Sequence, residues 1–101
     1  MIWDKILDYC REKQIWVEKS VDVKEFITPL PSNIDIEKYI KDRDSIGGIR
    51  LYGIDKELSI ISHPGSYGGL IDKFEIMGIG NNVIGYLSAE EVIEYIKEWN
   101  K

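Results

Sequence analysis

The chain has 101 residues, of which 44% are hydrophobic and 31% are charged, and its formal net charge at pH 7 is −5. This length fits a single domain covering residues 1–101, and the apolar share is sufficient for a packed core. The acidic balance argues against direct binding to nucleic acid, which needs a surplus of lysine and arginine facing the phosphates. It is compatible with a basic protein partner.

The only cysteine, Cys10, cannot form an internal disulfide, and its place in an apolar helical stripe predicts a buried hydrophobic side chain rather than a nucleophile. The first residues contain no long uninterrupted apolar run, so we expect neither a signal peptide nor a membrane span. Together these features indicate a reducing, cytoplasmic setting without membrane association.

The first two predicted elements are an amphipathic helix and a strand. Apolar residues recur at three- and four-residue spacing from residue 2 to about residue 13, which predicts a helix. Apolar and polar residues alternate along residues 14–27, which predicts one bent strand or a strand followed by an extended segment. Within this run Trp16 is out of phase with Ile15 and Val17 and should face the other side of the strand. If that side is solvent, Trp16 is a candidate for partner binding.

A breaker segment follows at residues 28–33, because its two prolines restrict their own backbone and that of the preceding residues. We expect a short helix after it, capped by Ser32 or Asn33 and ending by Asp44. Three residues would form the inward face of this helix: Ile36, Tyr39 and Ile40.

The middle of the chain has the pattern of an antiparallel hairpin, from about Gly48 to His63. Its turn is either a two-residue connection or a longer one that uses Gly53, because Asp55-Lys56 lacks the glycine that two-residue turns prefer. A third strand is expected from about Asp72 to Met77. Residues 78–82 are expected to form a loop.

The final helix is predicted to begin at Ser88, which can form a capping box with Glu91. Its outer edge carries Glu90 and Glu94, which could contact a basic partner or imitate a run of phosphates. A solvated helix face explains the same glutamates without any partner.

His63 is the only histidine, and its ordinary pKa near neutrality makes it the first candidate for proton transfer or binding. The glycine-rich segment 65–69 follows it, but neither a nucleophile elbow nor a phosphate-binding lysine accompanies these residues. The chain also has too few cysteines and histidines for a zinc site and lacks a calcium loop. We therefore expect no catalytic residue, no cofactor and no metal. A small-ligand or enzyme site at His63 and residues 65–69, with Asp72 in reach of His63, is the alternative.

Three motifs in the last third of the chain carry a resemblance: SYGG at residues 66–69, FEIMG at residues 74–78 and GYLSAEEV at residues 85–92. They resemble the carboxy-terminal part of small uncharacterised proteins of bacterial phages and prophages. The resemblance covers about a third of the chain, from Ser66 to Val92. It implies a phage source and the cytoplasm of a bacterial host, and it implies no mechanism.

Taken together, the patterns predict an α+β fold with a mainly antiparallel sheet of three to four strands, covered on one face by the two terminal helices. The expected function is that of a small acidic phage- or prophage-type accessory protein that binds a host bacterial protein without catalysis. Inhibition of a bacterial defence system such as CRISPR-Cas is one form this would take. A self-associating structural component, joined through a strand edge or Trp16, is a further alternative. The candidate partner-binding residues are Trp16, His63, Tyr67, Glu90 and Glu94.

Overall fold

Five antiparallel strands form one sheet, in the order in which they occur along the chain. A computed structural model, which describes residues 1–26, 30–79 and 82–101, gives the bounds of each element. The strands are β1 (Trp16–Asp22), β2 (Ile46–Gly53), β3 (Lys56–Ile61), β4 (Phe74–Ile79) and β5 (Asn82–Leu87). The helices are α1 (Asp4–Glu12), α2 (Ile36–Asp42) and α3 (Ala89–Trp99). The predicted α+β class is therefore confirmed.

Helices α1 and α3 pack together on one face of the sheet, where their apolar stripes meet alternate residues of the strands. Just before α1, Trp3 packs edge-on against Phe74, with ring centres 4.9 Å apart. Cys10 lies in the same core, and burial raises the pKa of its thiol to about 11. The prediction that Cys10 is a buried hydrophobic side chain is thus confirmed. The strand residues of this core are Ile49, Leu51, Leu58, Ile60, Phe74, Ile76 and Leu87.

The predicted count of three to four strands is wrong, because β5 was not recognised. Residues 78–79 and 82, which were expected in a loop, belong to β4 and β5, while Gly80 and Asn81 lie outside the described residues. In β5, Gly85 and Tyr86 together lie opposite the single residue Glu75. Such a bulge adds one residue to the strand and interrupts the period-two alternation that reveals strands in a sequence.

The region between β1 and α2 also differs from expectation. β1 ends at Asp22, and Val23–Phe26 then form a 3₁₀ turn rather than more extended chain. Residue 27 and the first part of the expected breaker, Thr28 and Pro29, lie outside the described residues.

Helix α2 is capped by Asp35, whose carboxylate accepts a hydrogen bond from the Lys38 amide at 3.2 Å. The predicted caps, Ser32 and Asn33, are therefore wrong. The later start turns Ile36 towards solvent, so it does not belong to the inward face on which it was placed. Tyr39, also predicted to face inward, is buried.

The predicted hairpin and last helix are both present, but the hairpin runs from Ile46 to Ile61 rather than from Gly48 to His63, and Lys56 lies in β3 rather than in the turn. Gly53 pairs with Lys56 across β2 and β3, so the turn has two residues, of which Asp55 has φ +55°. The side chain of Ser88 accepts a hydrogen bond from the Glu91 amide, and the Glu91 side chain accepts one from the Ser88 amide. This reciprocal pair is the predicted capping box, and it fixes where α3 begins.

Candidate protein-binding surface

The side of the sheet that faces away from α1 and α3 is largely uncovered in its middle. Residues paired across antiparallel strands point to the same side, so Arg50, Ser59, Met77 and Val83 form one row on this face. Met77 and Val83 are each about half exposed. We call the outward residues of β1 to β5 the open sheet face: Trp16, Glu18, Arg50, Tyr52, Glu57, Ser59, Met77 and Val83.

Trp16 lies at the β1 edge of the open sheet face, opposite Tyr52 of β2. Its side chain is 66% exposed, and its indole nitrogen donates a hydrogen bond to the Glu18 carboxylate at 3.1 Å. The alternation of the strand predicts that this indole lies on the opposite side of β1 from Val17. In the structure, that side is exposed to solvent. Because Trp16 was a candidate for partner binding only if its side of the strand faced solvent, it remains a candidate.

A shallow depression of about 280 Å³ lies in the middle of the open sheet face. Arg50 and Glu57 are among its lining residues, with the guanidinium Nε and a carboxylate oxygen 3.9 Å apart. Met77, Ser59 and the backbone of Gly78 complete its lining. Its lining therefore combines the apolar Met77 side chain with charged and polar groups, as protein interfaces do.

Tyr67 lies on the same side of the molecule, at the β5 edge. Its side chain sits directly on Gly85, where a Cβ atom would approach the Tyr67 Cβ to 2.6 Å, so only glycine fits this position. The Tyr67 amide donates to the Glu75 carboxylate at 3.0 Å, and its ring centre lies 6.2 Å from that of Tyr86. From strand spacing and rise, Trp16 and Tyr67 lie roughly 20 Å apart, at opposite corners of the sheet.

His63 is buried, unlike the other candidate residues. Its ring stacks on Phe26 at 4.0 Å, and its Nδ1 accepts a hydrogen bond from the Gly65 amide at 3.0 Å. Burial lowers the pKa of His63, while the nearby Glu75 carboxylate acts in the opposite direction. The geometry thus uses His63 to hold the turn that follows it.

The carboxylate expected near His63, that of Asp72, instead pairs with Arg43 at 2.7 Å. Arg43 is fully buried and also donates to the carbonyl oxygens of Gly69 and Ser62, at 2.8 and 3.3 Å. The face of its guanidinium lies 3.7 Å from the ring centre of Tyr39. Arg43 therefore ties α2 to residues 62–72, which we call the anchored loop. Sequence inspection did not single out Arg43, because an arginine at the end of a helix is ordinarily a surface residue.

Glu90 and Glu94 lie on α3, which packs on the opposite side of the sheet from Trp16 and Tyr67. Glu90 pairs with Lys5, which lowers the pKa of the Glu90 carboxyl, and Glu94 pairs with Lys97 at 3.0 Å. The five predicted contact residues are therefore not brought together. Two lie at corners of the sheet, two on the far helix and one in the interior.

Within residues 1–26, 30–79 and 82–101, no three histidine, cysteine or acidic side chains are grouped as a metal site would require. No helix in the described part of the chain is both long and apolar enough to span a bilayer. Comparison with protein families, with characterised proteins and with solved structures finds no match to this chain. The arrangement of exposed side chains on the sheet and the charge of the chain are therefore the main support for a function.

Proposed function

We propose that this protein acts by non-enzymatic binding to another protein, which docks on the open sheet face. The observation that carries the proposal is that Trp16 of β1, Met77 of β4 and Val83 of β5 are all exposed on the same face of the sheet, opposite the face on which α1 and α3 pack. Large aromatic side chains are enriched at the energetic centres of interfaces, where their burial contributes most. A partner would bury these three side chains together.

The charges around this face favour a partner with basic groups at its rim. Glu18 and Glu57 flank Arg50 in adjacent strands, and the whole chain carries a net charge of −5. Complementary charge of this kind speeds association and selects the partner more than it adds affinity. The Glu18 carboxylate, already bonded to the Trp16 indole, would align that ring for contact.

The nature of the partner is a narrower proposal. A host bacterial protein, and in particular a component of a defence system such as CRISPR-Cas, is supported by the phage-type resemblance of residues 66–92 alone. A reaction centre at His63 is less well supported, because the Nδ1 of its ring is engaged by Gly65 and the carboxylate of Asp72 by Arg43.

The experiment is affinity capture from bacterial lysate with three baits: the wild type, a Trp16→Ala, Met77→Ser variant, and a Glu94→Gln, Glu98→Gln control on the far side of the sheet. We expect one stoichiometric partner with the wild type and the control, and its loss from the open-face variant. Hydrogen exchange of the purified complex should then show protection in β1 and β4. A partner lost only from the α3 control, or no partner for any bait at low salt, would contradict the proposal.

A further inference from the structure

The two outer strands of the sheet, β1 and β5, differ in what their backbones contact. At β5, the Tyr86 amide donates to the Tyr67 carbonyl at 3.3 Å, and the Tyr67 side chain sits on Gly85. The anchored loop thus engages part of the β5 backbone. At β1, no turn or loop within residues 1–26, 30–79 and 82–101 gives a backbone hydrogen bond to Val17 or Lys19. An open strand edge is a template for another extended chain, so β1 is where this sheet can be extended.

The pairing register shows which backbone groups of β1 point away from the sheet. Gly53 and Lys56 close a two-residue turn, so they exchange both of their backbone hydrogen bonds with each other. Hydrogen-bonded pairs alternate along antiparallel strands, so Tyr52 directs its amide and carbonyl to β1, where it pairs with Trp16. Val17, the next residue of β1, therefore directs its amide and carbonyl outward.

Lys19, two residues further along β1, has the same orientation as Val17 because the register is unbroken between them. These two residues offer two amide donors and two carbonyl acceptors, which we call the β1 edge groups. The register shifts directly after Lys19, and before Val17 the Ile15 amide already donates to the Cys10 carbonyl at 2.8 Å. The accessible edge is therefore short, and it fits a few residues of extended chain.

The side chains of β1 restrict which strand can pair with this edge. An added strand would place one residue beside Glu18 and another beside Trp16, both on the open sheet face. Glu18 lies opposite Arg50, so a lysine or arginine on its other side would continue the alternation of charge. Trp16, at 66% exposure, favours a large apolar neighbour. Between these two positions, a β-branched residue would lie beside the half-buried Val17.

A second copy of this chain fits the edge poorly. Antiparallel pairing of two copies about Glu18 would set two carboxylates directly opposite each other, and pairing about Lys19 would set two ammonium groups opposite each other. Pairing about Val17 would align Lys19 with Ile15, whose amide is already bonded to Cys10. Each copy also carries a net charge of −5. The edge is therefore better matched to a basic strand of a different protein.

We propose that the partner of this protein presents an extended segment that joins the sheet as a sixth strand beside β1. This segment carries a basic residue next to Glu18 and a large apolar residue next to Trp16. The inference rests on the function proposed above, because it specifies how a protein partner engages the same face. Backbone hydrogen bonds to the β1 edge groups provide affinity, and the two flanking side chains provide selectivity.

The test uses a synthetic peptide of this chemistry, acetyl-Thr-Thr-Lys-Val-Phe-Thr-amide. In an antiparallel arrangement its lysine, valine and phenylalanine lie beside Glu18, Val17 and Trp16. Amide proton–nitrogen NMR spectra of the purified protein follow its addition to millimolar concentration. In the free protein we expect the amides of Val17 and Lys19 to exchange faster than those of Trp16 and Glu18. The peptide should shift the Val17 and Lys19 resonances saturably and slow their exchange.

The matched control is the same peptide N-methylated at the valine and the second threonine, which keeps every side chain and removes the two donors that face β1. Its dissociation constant should be at least about tenfold higher. In the protein, Lys19→Pro removes an outward donor that β2 does not use, whereas Lys19→Ala removes only the side chain. The proline variant should lose the peptide and the alanine variant should keep it. Circular dichroism would verify that both variants are folded.

The same variants separate this inference from the function on which it rests. If the captured partner is lost from the open-face variant but binds Lys19→Pro as well as Lys19→Ala, it docks without adding a strand. That result would overturn the inference and leave the proposed function in place. If no partner is captured, the proposed function fails and the peptide titration decides the inference.

Three results of the titration would overturn the inference. One is a peptide that leaves the Val17 and Lys19 amides unchanged at millimolar concentration. Another is an N-methylated peptide that binds as tightly as the parent. The third is protection of both amides in the free wild type, because a second copy would then occupy the edge.

Discussion

The helix-covered core and the anchored loop are stabilised in opposite ways. The core is made of apolar side chains from α1, α3 and alternate strand residues, with Trp3 and Phe74 in direct ring contact. The anchored loop is held by polar groups, chiefly Arg43, Glu75 and His63, which are buried and bonded to its backbone. In the core, the loss of stability should therefore scale with the volume removed. In the loop, it should depend on individual donors and acceptors.

The largest expected effect comes from Trp3→Ala, which removes a fully buried ring and its hydrogen bond to the Ile46 carbonyl. We expect the free energy of unfolding to fall by about 3–5 kcal/mol. Trp16→Ala removes the same side chain from an exposed site and should change stability by less than about 0.5 kcal/mol. Urea unfolding of both variants measures the difference. Similar losses in the two variants would show that the open sheet face is not solvent-exposed.

A smaller effect is expected from Arg43→Met, which keeps the bulk of the side chain but removes every donor that it gives to the loop. We expect a loss of about 2 kcal/mol, because the Ser62 carbonyl is left buried without its partner and Gly69 loses one of two donors. Hydrogen exchange should quicken at the amides of Gly69, Ile71 and Lys73, while β2 and β3 stay protected.

Arg43→Lys provides the matching control, since an ammonium group cannot make the forked contacts of a guanidinium. It should restore little of the protection in the loop. Uniform loss of protection across the whole sheet would mean that the loop and the core unfold as one unit, which would remove the distinction between them.

The smallest effect is a dependence on pH. Burial lowers the pKa of His63 in the folded chain below its ordinary value near 6.5. At pH values between these two pKa values, the unfolded chain therefore binds more protons than the folded chain. The stability contributed by neutral His63 is therefore complete above pH 6.5 and declines as the pH falls through this window. Protonation of Nδ1 would also turn this acceptor into a donor, so that it could no longer accept the hydrogen bond from the Gly65 amide.

His63→Asn should flatten this dependence, because an asparagine oxygen can accept the Gly65 bond and does not titrate. The comparison is the free energy of unfolding of both proteins at several pH values between 5 and 7.5. An equal decline in the two proteins would assign the effect to other groups.

The elements that could be predicted from the sequence are those whose signal is local. The stripes of α1 and α3 and the alternation of β2 and β3 record which residues lie against the core, and the capping box of Ser88 is complete within four residues. The orientation of Trp16 followed from the same alternation. β5 was missed because its bulge breaks the period.

The anchored loop depends on contacts between residues far apart in the chain, which no local pattern records. Arg43 reaches Ser62, Gly69 and Asp72, between 19 and 29 residues away. The contact between Tyr67 and Tyr86 shows the same limit, since these rings meet only after β3, β4 and β5 have paired. Val83 could have been placed on the open sheet face only once the pairing of β5 with β4 was known.

The order of the elements has a consequence for synthesis on the ribosome. The five strands pair with their neighbours in the chain, so the sheet can begin to assemble as each hairpin emerges. Its apolar side is covered only when α3, which follows all five strands, has left the exit tunnel and packed beside α1. Until then Ile60 and Ile76 face water in a nascent chain. A stall or premature stop before residue 89 would therefore yield a product prone to aggregation or to capture by chaperones.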